Sequence, residues 1–354
     1  MDVEHQISGA RPGATRFPLY DGAVRGIRNY WQPVFQSRSL RNGKPKSLTL
    51  FNEKIMFLRE RGTVYALGDR CPHRGVPLSL GRQEFCGTFS CRYHGWTFDL
   101  KSGSLVAALT DGPESAIVGK ARVPTYPVAE RCGLVWVFHG DGTPPPVEAH
   151  IPEEMLAADS VIESRITERN GDWRYAAENG FDESHGKYLH RDSLMMFFSS
   201  PPAFVRTQIG PDDWHWITRK TTQAAGFAEY PGLGSWPKKR FWKFMRAIVT
   251  VSIALPGVLR VHYGKWIHFE WYVPTQDGNH RYLQFVVKEN VTGIGAILFR
   301  LRYWLFLRWV FHVQFNDQDN AMVELMQTPP EQLFGPDHSL IAWRALCESE
   351  LQKT

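Results

Sequence analysis

The sequence predicts an α+β protein of two domains, the first made of strands and the second mixing strands with helices. Short segments of alternating or β-branched character fill Trp31 to about Phe138: Ser47-Leu-Thr-Leu-Phe51, Ile55-Met-Phe-Leu58, Thr63-Val-Tyr-Ala-Leu67, Thr97-Phe-Asp-Leu100 and Leu134-Val-Trp-Val-Phe138, with turn residues between them. A Gly140-Asp-Gly-Thr-Pro-Pro-Pro146 run follows, stiff and hostile to helix, and marks the domain boundary. Beyond it lie helix-compatible stretches near 178–190, 294–313 and 315–326, and strand-like ones at Arg246–Ile253 and Leu283–Val287. The first domain is therefore expected over 28–145 and the second over 146–354. Polar, Gly/Pro-spotted residues 1–27 are expected to pack on the second.

With 354 residues, each domain is large enough for its own core. A net charge of +5 spread over this length, without a compact Lys/Arg stripe, argues against nucleic acid. Five cysteines, an odd number in a long chain, argue for a reducing compartment and against a disulfide frame. The first residues, Met-Asp-Val-Glu-His-Gln-Ile, lack the basic and apolar regions of a signal peptide, so a cytoplasmic protein is expected. Internal repeats and low-complexity tracts are not evident.

Inside the strand-rich part stand Cys71-Pro-His73 and Cys91-Arg-Tyr-His94, each followed closely by a glycine, Gly75 and Gly95. Two thiolates and two imidazoles suit tetrahedral zinc or a Rieske [2Fe–2S] centre, in which two histidines replace two cysteines on one iron. The Cys-x-His and Cys-x2-His pair, set in Cys-Pro-His-Arg-Gly and Cys-Arg-Tyr-His-Gly-Trp, matches the Rieske signature at every ligand position. Cys86, Cys132 and Cys347 are expected to be ordinary thiols.

In the second domain, Glu178-Asn-Gly-Phe-Asp-Glu-Ser-His-Gly-Lys-Tyr-Leu-His190 places Asp182, His185 and His190 within nine positions. Two histidines and a carboxylate suit Fe(II) and leave positions open for dioxygen, although the same residues could form a satisfied polar patch. On a continuous helix at about 100° per residue, Asp182 and His185 share a face, but His185 and His190 differ by roughly 140°. One metal can therefore join them only if the helix breaks, and Gly186 is where it is expected to deform. A third ligand must come from downstream. Over 315–326 the positions 315, 319, 322 and 326 fall on one helical face of Phe, Asp, Met and Met, so a buried Asp319 needs compensation that a metal supplies. Asp317 points to the other side and is the fallback.

Residues 192–270 carry many large apolar side chains, among them Leu194, Met195, Met196, Phe197, Phe198, Phe204, Phe227 and Trp236, which suit a substrate pocket and any core alike. The stretch Ile294–Val313 is strongly apolar, yet Arg300, Arg302 and Arg308 would together cost roughly 8–10 kcal/mol at the centre of a spanning helix. A helix packed in the core or at a subunit contact is expected there, with a peripheral membrane contact as the alternative, and no transmembrane segment.

The two cysteine–histidine loops and the 172–190 stretch identify a resemblance. The chain resembles the Rieske non-haem iron oxygenase α-subunits, most closely the homotrimeric carbazole dioxygenase type. Similarity extends to Asn29-Tyr-Trp-Gln-Pro-Val34, Glu270-Trp-Tyr-Val-Pro274 and Phe315-Asn-Asp-Gln-Asp319. It implies an N-terminal Rieske domain with Cys71, His73, Cys91 and His94 on the cluster. It also implies a C-terminal helix-grip (START-like) domain with His185, His190 and Asp319 on a mononuclear Fe(II). The family motif, an Asp with Glu five residues on, also selects Asp319. Asp182 and Asn179 are the catalytic candidates; Asp182 is implied to link an iron-ligating histidine to the Rieske His94 of a neighbouring subunit in a trimer. The implied activity is that of a terminal oxygenase, which uses O2 to hydroxylate, and most simply dihydroxylate, an apolar aromatic or heteroaromatic substrate. Monooxygenation and N- or O-demethylation are the alternatives, and a bare electron carrier is the rival from another class. One departure is the spacing of His185 and His190, four intervening residues against three in the carbazole type, so substrate identity does not carry over. Gly232-Leu-Gly234 and Gly293-Ile-Gly295 lack a third glycine, and no nicotinamide or flavin motif is present. NAD(P)H thus enters only indirectly, through a reductase and a ferredoxin.

Overall fold

The computed structural model describes residues 16–182, 184–190, 193–194, 204–211, 215–225, 250–276, 278–326 and 332–353. Of the apolar side chains expected at a substrate pocket, all but Leu194 lie outside what is described, as do 246–249 of the strand expected at Arg246–Ile253. The chain divides into two compact units, Arg28–Ile151 and Met1–Ile27 with Pro152–Thr354. The division falls six residues past the expected 145/146. The reason is local: Trp31 donates its backbone N–H to His150 Nδ1 (2.9 Å) and its indole N–H to the Pro145 carbonyl (2.8 Å), tying the end of the linker back onto the first strand.

Three antiparallel sheets build the first unit. One is ordered β1 (Tyr30–Gln36), β10 (Leu134–His139), β9 (Val128–Arg131). Another is β2 (Lys46–Leu50), β3 (Glu53–Glu60), β4 (Thr63–Gly68), β8 (Thr125–Tyr126), and the third is β5 (Thr88–Ser90), β6 (Trp96–Asp99), β7 (Leu105–Ala108). Every segment expected to be a strand in this region falls in one of these. Met56, Leu58, Leu67, Phe89 and Phe98 form a buried cluster that also contains Cys71 and Cys91, so both sulfurs sit at the core edge.

The second unit is organised on a seven-stranded antiparallel sheet. Its order is β11 (Val161–Asn170), β17 (Asn279–Lys288), β16 (Ile267–Pro274), β15 (Val258–His262), β14 (Thr250–Ala254), β13 (Ile217–Ala225), β12 (Phe204–Pro211). All eight residues of β16 are buried, which requires cover on both faces. The helix Trp173–Phe181 packs on this sheet through a close approach at Gly180, where an added Cβ would stand 2.4 Å from the Tyr272 hydroxyl. A long helical stretch follows the sheet: Gly293–Arg302, wide π-type turns over Tyr303–Leu307 and Trp309–Phe315, then Asn316–Val323. Phe299, Tyr303, Leu307 and Val310 bury one stripe of it against Val161 and Val286. Its other side is exposed on the single chain, so of the two expected settings the enclosed core is not what is found, while the subunit contact stays an expectation. Among the described residues no helix is long and apolar enough to cross a membrane.

Residues 16–27 belong to this unit through a buried polar cluster. Tyr20 donates its hydroxyl to Glu178 Oε1 (2.9 Å), and Arg344 donates to both Glu178 oxygens (2.7 and 2.8 Å). Arg344 lies on the closing helix His338–Leu351, whose Glu348 accepts the Tyr20 backbone N–H (2.8 Å). Glu178 is the residue before Asn179, so this cluster fixes the helix that leads into the 182–190 turn. Replacing Arg344 by Met leaves a buried carboxylate without its cation. It should cost about 3–5 kcal/mol of stability, measured as a lowered unfolding temperature by calorimetry; an unchanged transition would contradict the role given to this pair.

Candidate active site

The helix Trp173–Phe181 starts on an Asp172 cap, whose side chain accepts the Arg174 N–H (2.9 Å), and stops at Asp182. Asp182 is extended (φ −71°, ψ 133°), and its Oδ1 accepts both the backbone N–H and the hydroxyl of Ser184 (2.8 Å each). An aspartate side chain that captures a nearby N–H competes with the helix ladder and ends it. The break therefore falls between Asp182 and His185. Gly186, where it was expected, instead opens the short helix Gly186–Leu189. His185 and His190 flank that single turn, with ring centroids 5.5 Å apart and planes at 72°.

Each imidazole is oriented from behind. His185 Nδ1 lies 3.1 Å from Asp182 Oδ2, and His190 Nδ1 lies 2.9 Å from Gln318 Oε1. Both acceptors call for the Nδ1–H tautomer, which leaves the two Nε2 lone pairs facing inward. Asp319 meets them there: its Oδ1 is 3.3 Å from His185 Nε2 and 3.0 Å from His190 Nε2. Asn179 donates its amide to the same oxygen (3.1 Å), and Phe315 stacks on His190 at 3.8 Å. The ligand atoms of His185, His190 and Asp319 all lie within 4.8 Å of one another, a set that could hold one metal ion. Nitrogen and oxygen donors of this kind fit Fe(II) with open positions.

Burial pushes the Asp182 and Asp319 carboxyls up, but the hydrogen bonds and charge of the neighbouring imidazoles outweigh it. Asp182 is held at about 2 and Asp319 lower still. Burial likewise depresses His185, and the two carboxylates reverse this and raise it to about 10. A bound cation would take the place of that proton, since a ligating imidazole must be neutral.

The helical-face reasoning for Asp319 needs correction. Met322 and Met326 are exposed (41 % and 43 %), because Asn316 and Val323 are the residues this helix buries. Asp319 instead reaches the histidines from the same turn as Phe315. The fallback Asp317 is engaged elsewhere: Arg165 donates two bonds to it (2.9 and 3.1 Å) and Arg169 a third. Sequence reasoning missed Gln318; its place beside Asp319 in a polar run on an otherwise apolar helix was the available signal.

In the first unit the two loops close alike. Cys71 N donates to Val76 O (2.9 Å) and Gly75 N to Cys71 O (2.8 Å); Cys91 N donates to Trp96 O (2.8 Å) and Gly95 N to Cys91 O (3.1 Å). Both turns need a left-handed residue, and Gly75 (φ +76°) and Gly95 (φ +65°) supply it. Cys71, His73, Cys91 and His94 line one small cavity with Trp96, which stacks on His73 at 4.7 Å. The cysteines are buried and His73 is exposed, so the imidazole side faces outward. Burial pushes the Cys71 thiol up to about 11, the His73 and Arg74 N–H groups pull it back, and the Cys91 sulfur adds to the rise. A cationic centre would relieve this by binding the thiolates. His94 Nδ1 is buried with no hydrogen-bond partner among the described residues, as expected of a ligating nitrogen. The donor set and this orphaned nitrogen fit a Rieske cluster.

Comparison with known proteins gives three concordant results. Residues 30–127 match the model of the Rieske [2Fe-2S] domain, and residues 138–202 and 220–353 that of the homotrimeric ring hydroxylases. The terminal oxygenase component of carbazole 1,9a-dioxygenase from Metapseudomonas resinovorans is 33 % identical, over 94 % of this chain and 93 % of its own length. Its counterpart from Sphingomonas sp. is 34 % identical over 92 % of each. Among solved structures, the fluorene-bound oxygenase in a ferredoxin complex of carbazole 1,9a-dioxygenase superposes with a TM-score of 0.86 at 30 % identity, covering 94 % of this chain and 93 % of that one.

Near enough to Asp319 to feel its charge is a buried carboxyl, Glu270, which accepts from Asn316 (2.6 Å) and from the Tyr272 hydroxyl. Burial pushes it up to about 7, hydrogen bonds from Tyr272, Tyr282 and Asn316 pull it back, and the Asp319 charge adds to the rise. A raised folded-state pKa contributes stability that is full below the ordinary value of 4.5 and lost as pH rises through about 7. Relative to Glu270→Gln, the wild type should lose stability on the order of 3 kcal/mol between about pH 4.5 and 8, followed by unfolding at a series of pH values. Parallel curves for the two proteins would contradict this.

Proposed function

Because this chain belongs to the Rieske-type homotrimeric ring hydroxylases, we propose that it is the terminal oxygenase of a multicomponent system that dihydroxylates an apolar aromatic or heteroaromatic compound. The observation that carries the reading is the convergence of His185 Nε2, His190 Nε2 and Asp319 on one point, with each imidazole held from behind. His185, His190 and Asp319 would hold the mononuclear iron, and Cys71, His73, Cys91 and His94 the cluster. When bound, the cluster supplies electrons singly, and the iron is where dioxygen is reduced and joined to substrate carbon. Dihydroxylation consumes one O2, two electrons and two protons, and leaves both oxygens in the product.

The chain's own residues prepare this chemistry. Asp182 keeps the Nδ1 proton on His185, Gln318 does so on His190, and Asn179 fixes the Asp319 oxygen that faces both rings. Asp182 also remains 16 % exposed. In this reading it accepts a second ring N–H, from His94 of a neighbouring subunit in the trimer, giving electrons a short hydrogen-bonded route. A ferredoxin supplies them, as one binds the oxygenase in the solved complexes of carbazole 1,9a-dioxygenase, and a reductase draws them from NAD(P)H. An odd number of cysteines, five in a long chain, suits a reducing, cytoplasmic location.

The test is product analysis after incubating the reconstituted system with aromatic and heteroaromatic compounds under 18O2. Both labelled atoms in one product support dihydroxylation, one labelled atom identifies monooxygenation, and no labelled product from any member would contradict the reading. His185→Ala and Asp319→Ala should reduce oxygenation to background while leaving the Rieske visible spectrum intact. Asp317→Ala should stay active and lose about 1–3 kcal/mol of stability, since it leaves Arg165 and Arg169 unpaired. An inactive Asp317→Ala beside an active Asp319→Ala would overturn the ligand assignment.

A further inference from the structure

We infer that the outer face of the helix over 293–313 docks this protein onto the surface of an anionic lipid bilayer, an interaction that goes beyond the proposed oxygenase chemistry. Ile294, Ile297, Leu301, Trp304, Leu305 and Trp309 are each at least 50 % exposed. Their spacing of three to four residues makes them one stripe along the helix, on the side away from buried Phe299, Tyr303, Leu307 and Val310. A helix that is apolar on every side belongs in a covered setting, and this one is covered on one side by its own sheet.

The polar groups on the helix identify what covers the other side. Between 293 and 313 the sequence contains no Asp, Glu, Asn, Gln, Ser or Thr. Tyr303 and His312 are buried and bonded to each other (3.0 Å), so they offer nothing outward. What remains is Arg300, Arg302, Arg308 and the indoles. Arg302 lies over Trp266 (5.2 Å) and Arg308 over Trp304 (5.1 Å), cations flanking the apolar stripe. Arg300 approaches Glu163 (3.4 Å) and is still 58 % exposed. This face thus offers hydrogen-bond donors and positive charge, and no side-chain acceptor. Protein interfaces carry donors and acceptors on both sides. A contact of this face with itself would set arginine against arginine, and a contact with a different face of a neighbouring subunit in the trimer is an outcome that the test below separates. A phospholipid surface presents ester and phosphate acceptors, negative charge and an apolar layer beneath, the complement of an arginine-flanked stripe with tryptophans. Since no described helix can span a bilayer, the contact is in the plane of the interface.

The test is flotation of the metal-loaded full-length protein with vesicles of phosphatidylglycerol and phosphatidylcholine, beside vesicles of phosphatidylcholine alone. Wild type should rise with the anionic vesicles, several-fold less in high salt and several-fold less with the neutral ones. Ile297→Glu/Leu305→Glu should stay at the bottom of the gradient with its size by light scattering unchanged. Arg300→Gln/Arg302→Gln, which leaves the apolar stripe alone, should bind anionic vesicles several-fold more weakly. The inference is overturned if wild type ignores anionic vesicles, if it binds neutral ones equally, or if either double variant binds as wild type does. It is equally overturned if Ile297→Glu/Leu305→Glu falls apart into smaller species, because the face would then be a contact between copies.

Discussion

His185 is gripped by carboxylates at both ring nitrogens, Asp182 at Nδ1 and Asp319 at Nε2, and the geometry of the second unit serves that grip. Asp182 does two jobs with one side chain: it ends the Trp173–Phe181 helix by capturing the Ser184 N–H, and it sets the ring it has thereby brought within reach. The partner carboxylate comes from far along the chain, so its rotational setting must be fixed independently. Buried Asn316 does this through Glu270 and Tyr282, and Arg165 and Arg169 on β11 add to the hold through Asp317. Two positions along the helix, about 200° round, Asp319 is then turned toward the histidines. Asn179 and Gln318 close the arrangement, and the buried Glu178–Arg344–Tyr20 cluster anchors the helix that presents Asn179.

The ligand-type residues were legible because their chemistry is scarce and their spacing narrow. Cys-x-His and Cys-x2-His with a trailing glycine dictate two tight loops, and both closed as that pattern implies, with Gly75 and Gly95 left-handed. The strands of the first unit followed from alternation and turn residues. What sequence could not expose was whatever depends on long-range contact. The helix break was assigned to Gly186 on conformational freedom, yet an Asx-type capture at Asp182 decided it. Met322 and Met326 are expected on a buried face, yet the helix buries Asn316 and Val323 and ends at Val323, which leaves both methionines exposed. Gln318 and Arg344 are unremarkable in a linear reading; each gains its role only from a partner more than a hundred residues away.

The same helical stretch joins two demands. Its C-terminal end carries Asp319 to His185 and His190, and its outer stripe from Ile294 to Trp309 exposes apolar side chains flanked by arginine. Wide π-type turns lie between the two ends. The same stretch buries Tyr303 and Leu307 and brings Phe315 and Asp319 against the histidines. An oxygenase acting on apolar compounds gains from a surface that keeps it where such compounds partition.

The central claim is that electrons reach His185 through Asp182 from the cluster of a neighbouring subunit. Two inactive chains test it: Cys71→Ser, which cannot hold the cluster, and Asp319→Ala, which cannot hold the mononuclear iron. Each alone should be inactive. Co-expressed and purified as mixed oligomers through two different tags, they should regain oxygenation, because some interfaces then pair an intact cluster with an intact iron site. Mixed oligomers that form, carry both metals and remain inactive would contradict the route.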